Sequence, residues 1–224
     1  MDVYRLLEQV FRDRKAFYSD VQKGVNPVRH SLWAAVAWAA ALAIFGAVMG
    51  VPGGVYYMLA SAIKLPLLVA VVTLATLPLF HFFALYSGVT LTVYQTLLLM
   101  SGMLVIVSVL ALAFAPALLA LWISVGHYGL YKVACAAALG LCATLGILFA
   151  KQGLDRMGKA PSRARDTLFW VWAAVYALVG GQVSWLARPF IGSPNAPFQF
   201  LRGAGGSLYQ ELARSAWQLL LSLF

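Results

Sequence analysis

Five stretches of the chain carry at most one charged side chain over a length that can cross a bilayer: residues 31–50, 65–86, 91–114, 129–150 and 167–187. A helix rises 1.5 Å per residue and the hydrocarbon core is ~30 Å thick, so ~20 apolar residues suffice for one crossing. None of the five contains Asp or Glu, as expected from the cost of placing a carboxylate in lipid. The pattern predicts an all-α protein, a polytopic membrane helix bundle of five transmembrane helices with amphipathic helices at both ends.

The ends have their own periodicity. Val3, Leu6, Leu7, Val10, Phe11, Phe17, Tyr18 and Val21 recur at helical spacing with Arg5, Glu8, Arg12, Lys15 and Asp20 between them. This predicts an amphipathic helix on the inner leaflet or docked on a partner protein, ended by Gly24 and Pro27. At the other end Ser207 and Gln210 form a capping-box start, and Leu208, Leu212, Ala216, Leu219, Leu220 and Leu223 line one face of a second such helix, expected on the outer leaflet. Between the fifth span and this helix, RPFIGSPNAPFQFLR (residues 188–202) has too much proline to be helical. It is expected to form an aromatic plug with snorkelling arginines at the outer headgroup level. The chain thus divides into a cytoplasmic amphipathic helix (1–30), a five-helix transmembrane domain (31–187) and an outer loop with an amphipathic helix (188–224).

Two further apolar segments, 54–63 and 116–125, are too short to span. They read as interfacial linkers carrying an aromatic belt of Tyr56, Tyr57, Trp122, Tyr128 and Tyr131, with half-helices dipping into the membrane as the alternative.

Composition narrows the class. Of 224 residues, 62% are hydrophobic and 10% charged, with a mean hydropathy of +0.85. A soluble domain is ~25% charged, so a water-soluble monomer is excluded. The net charge of +9 does not point to nucleic acid, because the basic residues sit in blocks beside the apolar runs. Six precede the first span and five lie between the fourth and fifth, against five on the other side. The positive-inside rule then predicts a cytoplasmic N-terminus and an outside C-terminus. The first span is expected to be a retained signal-anchor rather than a cleaved signal peptide. With no N-x-[ST] sequon, the expected location is a bacterial plasma (inner) membrane.

Candidate chemistry is sparse. His81 and Gln95 lie seven residues either side of Gly88, so a hairpin turn there would place them at one depth, within hydrogen-bonding reach, in a packing role rather than a proton relay. Gln182 and Ser184 follow Gly180-Gly181, and Ala136, Gly140 and Thr144 offer a matching small stripe. This predicts a tight contact between the fourth and fifth spans or between subunits. Cys135 and Cys142, seven residues apart on one helix, are ~10 Å apart and read as packing residues rather than a disulfide. There is no HExxH site, no GxSG nucleophile with a partner histidine, no P-loop and no GxGxxG, and the three histidines are dispersed. No catalytic residue, metal site or cofactor is expected.

The runs AIKLPLLVAVVTLATLPLFHFFALYSG (62–88) and TVYQTLLLM (92–100) resemble the Yip1-type multi-pass membrane proteins in hydropathy order. The later GGQVSWLARPFIGSPNAPFQFLR (180–202) resembles a family of uncharacterised bacterial membrane proteins with a GxQxxWxxRPFxGxP-like signature, at Gly180, Gln182, Trp185, Arg188, Pro189, Phe190, Gly192 and Pro194. The first resemblance implies membrane trafficking and small-GTPase contacts, but the family's Asp-Leu-Tyr-Gly-Pro motif is absent here and no GTPase partner is carried over. The expected function is a non-enzymatic membrane-organising or membrane-complex subunit acting through the lipid bilayer, other membrane proteins or self-association. The alternative is an oligomeric channel or carrier. Candidate interaction or intramembrane polar residues are His81, Gln95, Gln182, Arg188, Pro189, Phe190 and Arg202.

Overall fold

The structure is a computed structural model that describes residues 3–158, 163–192 and 198–200. Seven α-helices follow in order: α1 (Val3–Phe11), α2 (Arg14–Lys23), α3 (Pro27–Gly50), α4 (Val55–Tyr86), α5 (Val93–Val125), α6 (Tyr128–Met157) and α7 (Arg163–Leu186). Among the described residues there is no strand, and α3 to α7 are long and apolar enough to cross a membrane. Outward-facing Leu32, Val36, Leu67, Val71, Val133 and Leu178 are each more than half exposed, as side chains meant for hydrocarbon are. The chain is an integral membrane protein.

Local chemistry sets the boundaries. Asp13 caps α2 by accepting from the Ala16 N–H, and Gly24 closes it at φ 66°. Pro27 opens α3 where its missing N–H is not needed. Thr92 and Gln95 form a reciprocal capping box at the start of α5. His127 caps α6 through Nδ1, which accepts from the Leu130 N–H.

Consecutive long helices alternate in direction. The proximal end holds α1, α2, the α4–α5 connection, the end of α6 and the start of α7; the distal end holds the α3–α4 and α5–α6 turns and residues 187–192 and 198–200. Across the bundle the packing order is α7, α4, α3, α5, α6, a curved row whose two outer members flank an opening. α5 sits deepest, with Leu98 to Ser108 buried without a break. α3 approaches α4 closely because Gly46 and Gly50 bring backbone to backbone: a Cβ there would stand 2.4 Å from the Ser61 carbonyl oxygen and 2.5 Å from that of Tyr57. This is the small-xxx-small contact of membrane helices. α7 joins α4 through an aromatic seam, in which Trp172 packs 4.7 Å from Phe80 and donates to the Thr76 carbonyl at 3.3 Å.

Three expectations change. Residues 54–63 and 116–125 are neither linkers nor half-helices but the distal ends of α4 and α5, which run for 32 and 33 residues. Pro66, Pro78 and Pro116 lie inside these helices, because giving up single hydrogen bonds costs less than ending a helix in apolar surroundings. The expected aromatic belt is divided: Tyr57 and Tyr131 are buried, with Tyr131 donating to the Val48 carbonyl, Trp122 and Tyr128 are half-buried, and Tyr56 is exposed. The N-terminal amphipathic helix is two helices, and their apolar face covers this chain's own bundle. Leu6, Val10, Phe17, Tyr18 and Val21 are buried. Phe17 and Tyr18 pack 5.7 and 5.1 Å from Phe149, and the Tyr18 hydroxyl donates to the Phe149 carbonyl at 2.8 Å. Burial pushes the Tyr18 phenol above its ordinary range, against the pull of Arg14 and Arg156. The C-terminal helix of 207–224 lies outside the described residues.

Candidate functional site

The opening between α6 and α7 is a cavity of about 740 Å³. Val69 and Val72 of α4 and Met103 and Val107 of α5 form its back wall, and small residues form its sides: Ala136, Gly140 and Ala143 on α6, Gly180, Gly181 and Ser184 on α7. The small stripes therefore face each other across a gap rather than touching. A Cβ on Gly140 would find nothing within 4 Å, and one on Gly180 only Val72, at 3.8 Å. The expected tight contact between these spans is thus replaced by α7 packing on α4. Large side chains decide this: the Trp172 and Phe169 rings lean on Phe80, and Tyr176 hydrogen bonds to Thr73 at 3.2 Å.

The two sides of the cleft are joined at both ends. Proximally, Lys151 bonds Asp155 at 2.8 Å and Asp166 at 3.0 Å, while Arg165 meets Asp155 at 3.2 Å, so ion pairs tie α6 to the start of α7. Distally, the Tyr128 hydroxyl donates to the Ile191 carbonyl at 2.9 Å. The segment after α7 folds over α4: Ser61 donates to the Phe190 carbonyl, and buried Lys64 donates to those of Pro189 and Phe200. Phe198 closes on Tyr57 with ring centroids 5.0 Å apart. Among the described residues of the expected aromatic plug, Phe190, Phe198 and Phe200 gather on the distal end of α4, where Lys64 pins the backbone.

Arg188, Pro189 and Phe190 line the distal mouth together with Tyr128, Lys132 and Ser184. The Arg188 guanidinium lies 3.1 Å from the Trp185 ring centroid and its Nε donates to the Trp185 carbonyl. Lys132 stands 4.8 Å over the Tyr128 ring.

His81 and Gln95 sit at the proximal end, away from this mouth, and do not pair. His81 Nδ1 lies 2.9 Å from Thr96 Oγ1. Gln95 is spent on the Thr92 N–H, through Oε1, and on the Gln22 carbonyl, to which its Nε2 donates at 3.1 Å. α5 starts at Val93 rather than residue 91, which sets Thr96 opposite the imidazole. Gln182 is half-buried on α7 and does not line the cleft. Arg202 lies outside the described residues. Lys132 and Tyr128 were missed by sequence reasoning, although a lone lysine one turn into an apolar run was the available signal.

Among the described residues no three of His, Cys, Asp and Glu cluster as metal ligands would. Cys135 and Cys142 are free and buried. The arrangement suits an amphiphile, with an apolar slot for a chain and basic and hydroxyl groups at one end. No family model, curated protein or solved structure matches the chain.

Proposed function

We propose that this integral membrane protein is a lipid-binding component of a bacterial inner membrane that acts through lipid and protein contacts rather than catalysis. The observation that carries this reading is the cleft. Along α6 it reaches from Lys132 to Ile147, about 22 Å at 1.5 Å per residue. One leaflet contributes ~15 Å of a ~30 Å core, so the slot is deep enough for a lipid chain. Its walls are almost wholly apolar, as ligand sites for hydrocarbon are. A cytoplasmic proximal end rests on the positive-inside rule, since ten of the thirteen described Lys and Arg lie there. The channel or carrier reading has less support, because His81 and Gln95, its expected lining, are engaged by Thr96, Thr92 and Gln22.

The test is photolabelling in vesicles that contain phosphatidylcholine with a diazirine in one chain, followed by peptide mapping. Adducts are expected on residues 136–147 of the cleft wall, and Gly140→Trp, which fills the slot, is expected to remove them. Labelling confined to outward-facing positions such as Val133, unchanged by the substitution, would contradict the reading.

A further inference from the structure

Among the described residues the distal end carries positive charge with no carboxylate to balance it. Lys64, Lys132 and Arg188 lie there, and no carboxylate does among the described residues; the described Asp and Glu residues are all proximal. Lys64 is consumed internally, donating to the Pro189 and Phe200 carbonyls and packed against the Phe190 and Phe200 rings. Its work is to hold Pro189 and Phe200 over the end of α4.

Lys132 and Arg188 are placed differently. Both line the mouth of the cleft, and the Tyr128–Ile191 hydrogen bond brings their two segments together. Neither forms an ion pair among the described residues. Each is propped on an aromatic face, Tyr128 or Trp185, which fixes the cation without neutralising it. Ser184, one turn before Arg188, adds a hydroxyl to the same rim. A guanidinium, an ammonium and a hydroxyl at one end of an apolar slot match the anionic oxygens of a phosphate on a lipid headgroup. Phosphatidylcholine carries the same phosphate, but its choline ammonium cancels the net charge and is repelled by the cationic pair, so a headgroup without that ammonium is favoured.

From this geometry we infer that the cleft selects anionic phospholipid, with Lys132 and Arg188 as the headgroup ligands and Ser184 as an added donor. This rests on the lipid-binding reading above and specifies its ligand class. A basic group at the membrane surface raises affinity for anionic lipid roughly fivefold, so the pair predicts a preference of about 25-fold over zwitterionic lipid of the same chains.

The test offers purified full-length protein an equimolar mixture of phosphatidylglycerol and phosphatidylcholine with identical chains in nonionic micelles. The protein is re-isolated and the bound lipid quantified by mass spectrometry. The wild type is expected to retain phosphatidylglycerol by about 25-fold, a preference that falls as salt is raised. Lys132→Gln with Arg188→Gln is expected to bring the ratio near one while total lipid stays the same, and Lys132→Arg with Arg188→Lys is expected to keep the preference. Should the double glutamine variant not fold, the salt series on the wild type decides. Equal retention of both lipids by the wild type, removed by Gly140→Trp, would overturn the headgroup assignment and leave the lipid reading standing. Retention that Gly140→Trp does not alter, or no lipid retained at all, would overturn both.

Discussion

Replacing Phe17 with alanine removes the ring that seats the N-terminal helices on the bundle. Phe17 is 2% exposed and lies against Phe149, and its ring fills the space that a side chain at Gly102 would occupy. Deleting a buried phenylalanine ring costs ~3–5 kcal/mol, counting lost transfer energy and the cavity left behind. α1 and α2 precede the five spans and are joined to them by a short turn, so the loss falls on their docking. The undocked population should rise by about a hundredfold to several thousandfold at ~1.4 kcal/mol per decade. Trypsin cleavage at Lys15 and Lys23, which tracks that population when reclosing is fast, should accelerate by the same factor while α3 to α7 remain intact. Phe11, at 36% exposed, should tolerate alanine with less than ~1 kcal/mol lost. Cleavage of Phe17→Ala at the wild-type rate would refute the docking and return the helices to the lipid surface.

Other consequences follow from the same contacts. Gly46→Leu must push α3 off the Ser61 carbonyl and should lower stability by ~1–3 kcal/mol or more, whereas Gly140→Leu projects into open space and should leave the thermal midpoint unchanged or higher; tryptophan fluorescence melts compare the two. Asp155→Asn strips the carboxylate shared by Lys151 and the 5%-exposed Arg165 side chain. It should cost ~1–3 kcal/mol, less than for a fully buried pair because Asp155 is partly solvated, and should appear as faster amide exchange at the start of α7. The Tyr18 phenol is raised by burial above its unfolded value near ~10. Its contribution to docking is therefore complete below that pH and is lost as pH climbs through the higher folded value. Trypsin sensitivity of residues 3–26 should increase in that alkaline window, and Tyr18→Phe should abolish this dependence; equal alkaline sensitivity in both would contradict the burial.

The five spans were legible because lipid demands long apolar runs whatever the packing, and Gly24 and Pro27 mark the end of the N-terminal amphipathic segment locally, whereas the break that Asp13 caps was not read. Packing partners were not legible. The apolar face of α1 and α2 has the same periodicity whether it meets lipid, a partner or α5 and α6; only the space left at Gly102 and Gly153 for the Phe17 and Tyr18 rings distinguishes these. The small residues at 136–144 and 180–184 were read as a contact because small residues permit close approach, but they do not enforce it. The Trp172 and Tyr176 rings on the same helix draw α7 to α4 instead. The GxxxG at Gly46 and Gly50, which does bring two helices together, was in plain view and overlooked. Of the mouth, Arg188, Pro189 and Phe190 stood out by their density of proline and aromatic residues, while Lys132 looked like one more scattered cation.

The most direct test of the account is an experimental density map of the protein in nanodiscs containing phosphatidylglycerol. The account predicts α6 and α7 held apart between Gly140 and Gly180, with an elongated density running down the slot from a headgroup at Lys132 and Arg188 toward Ile147. Gly140 packed directly against Gly180 with no room between the helices would contradict it.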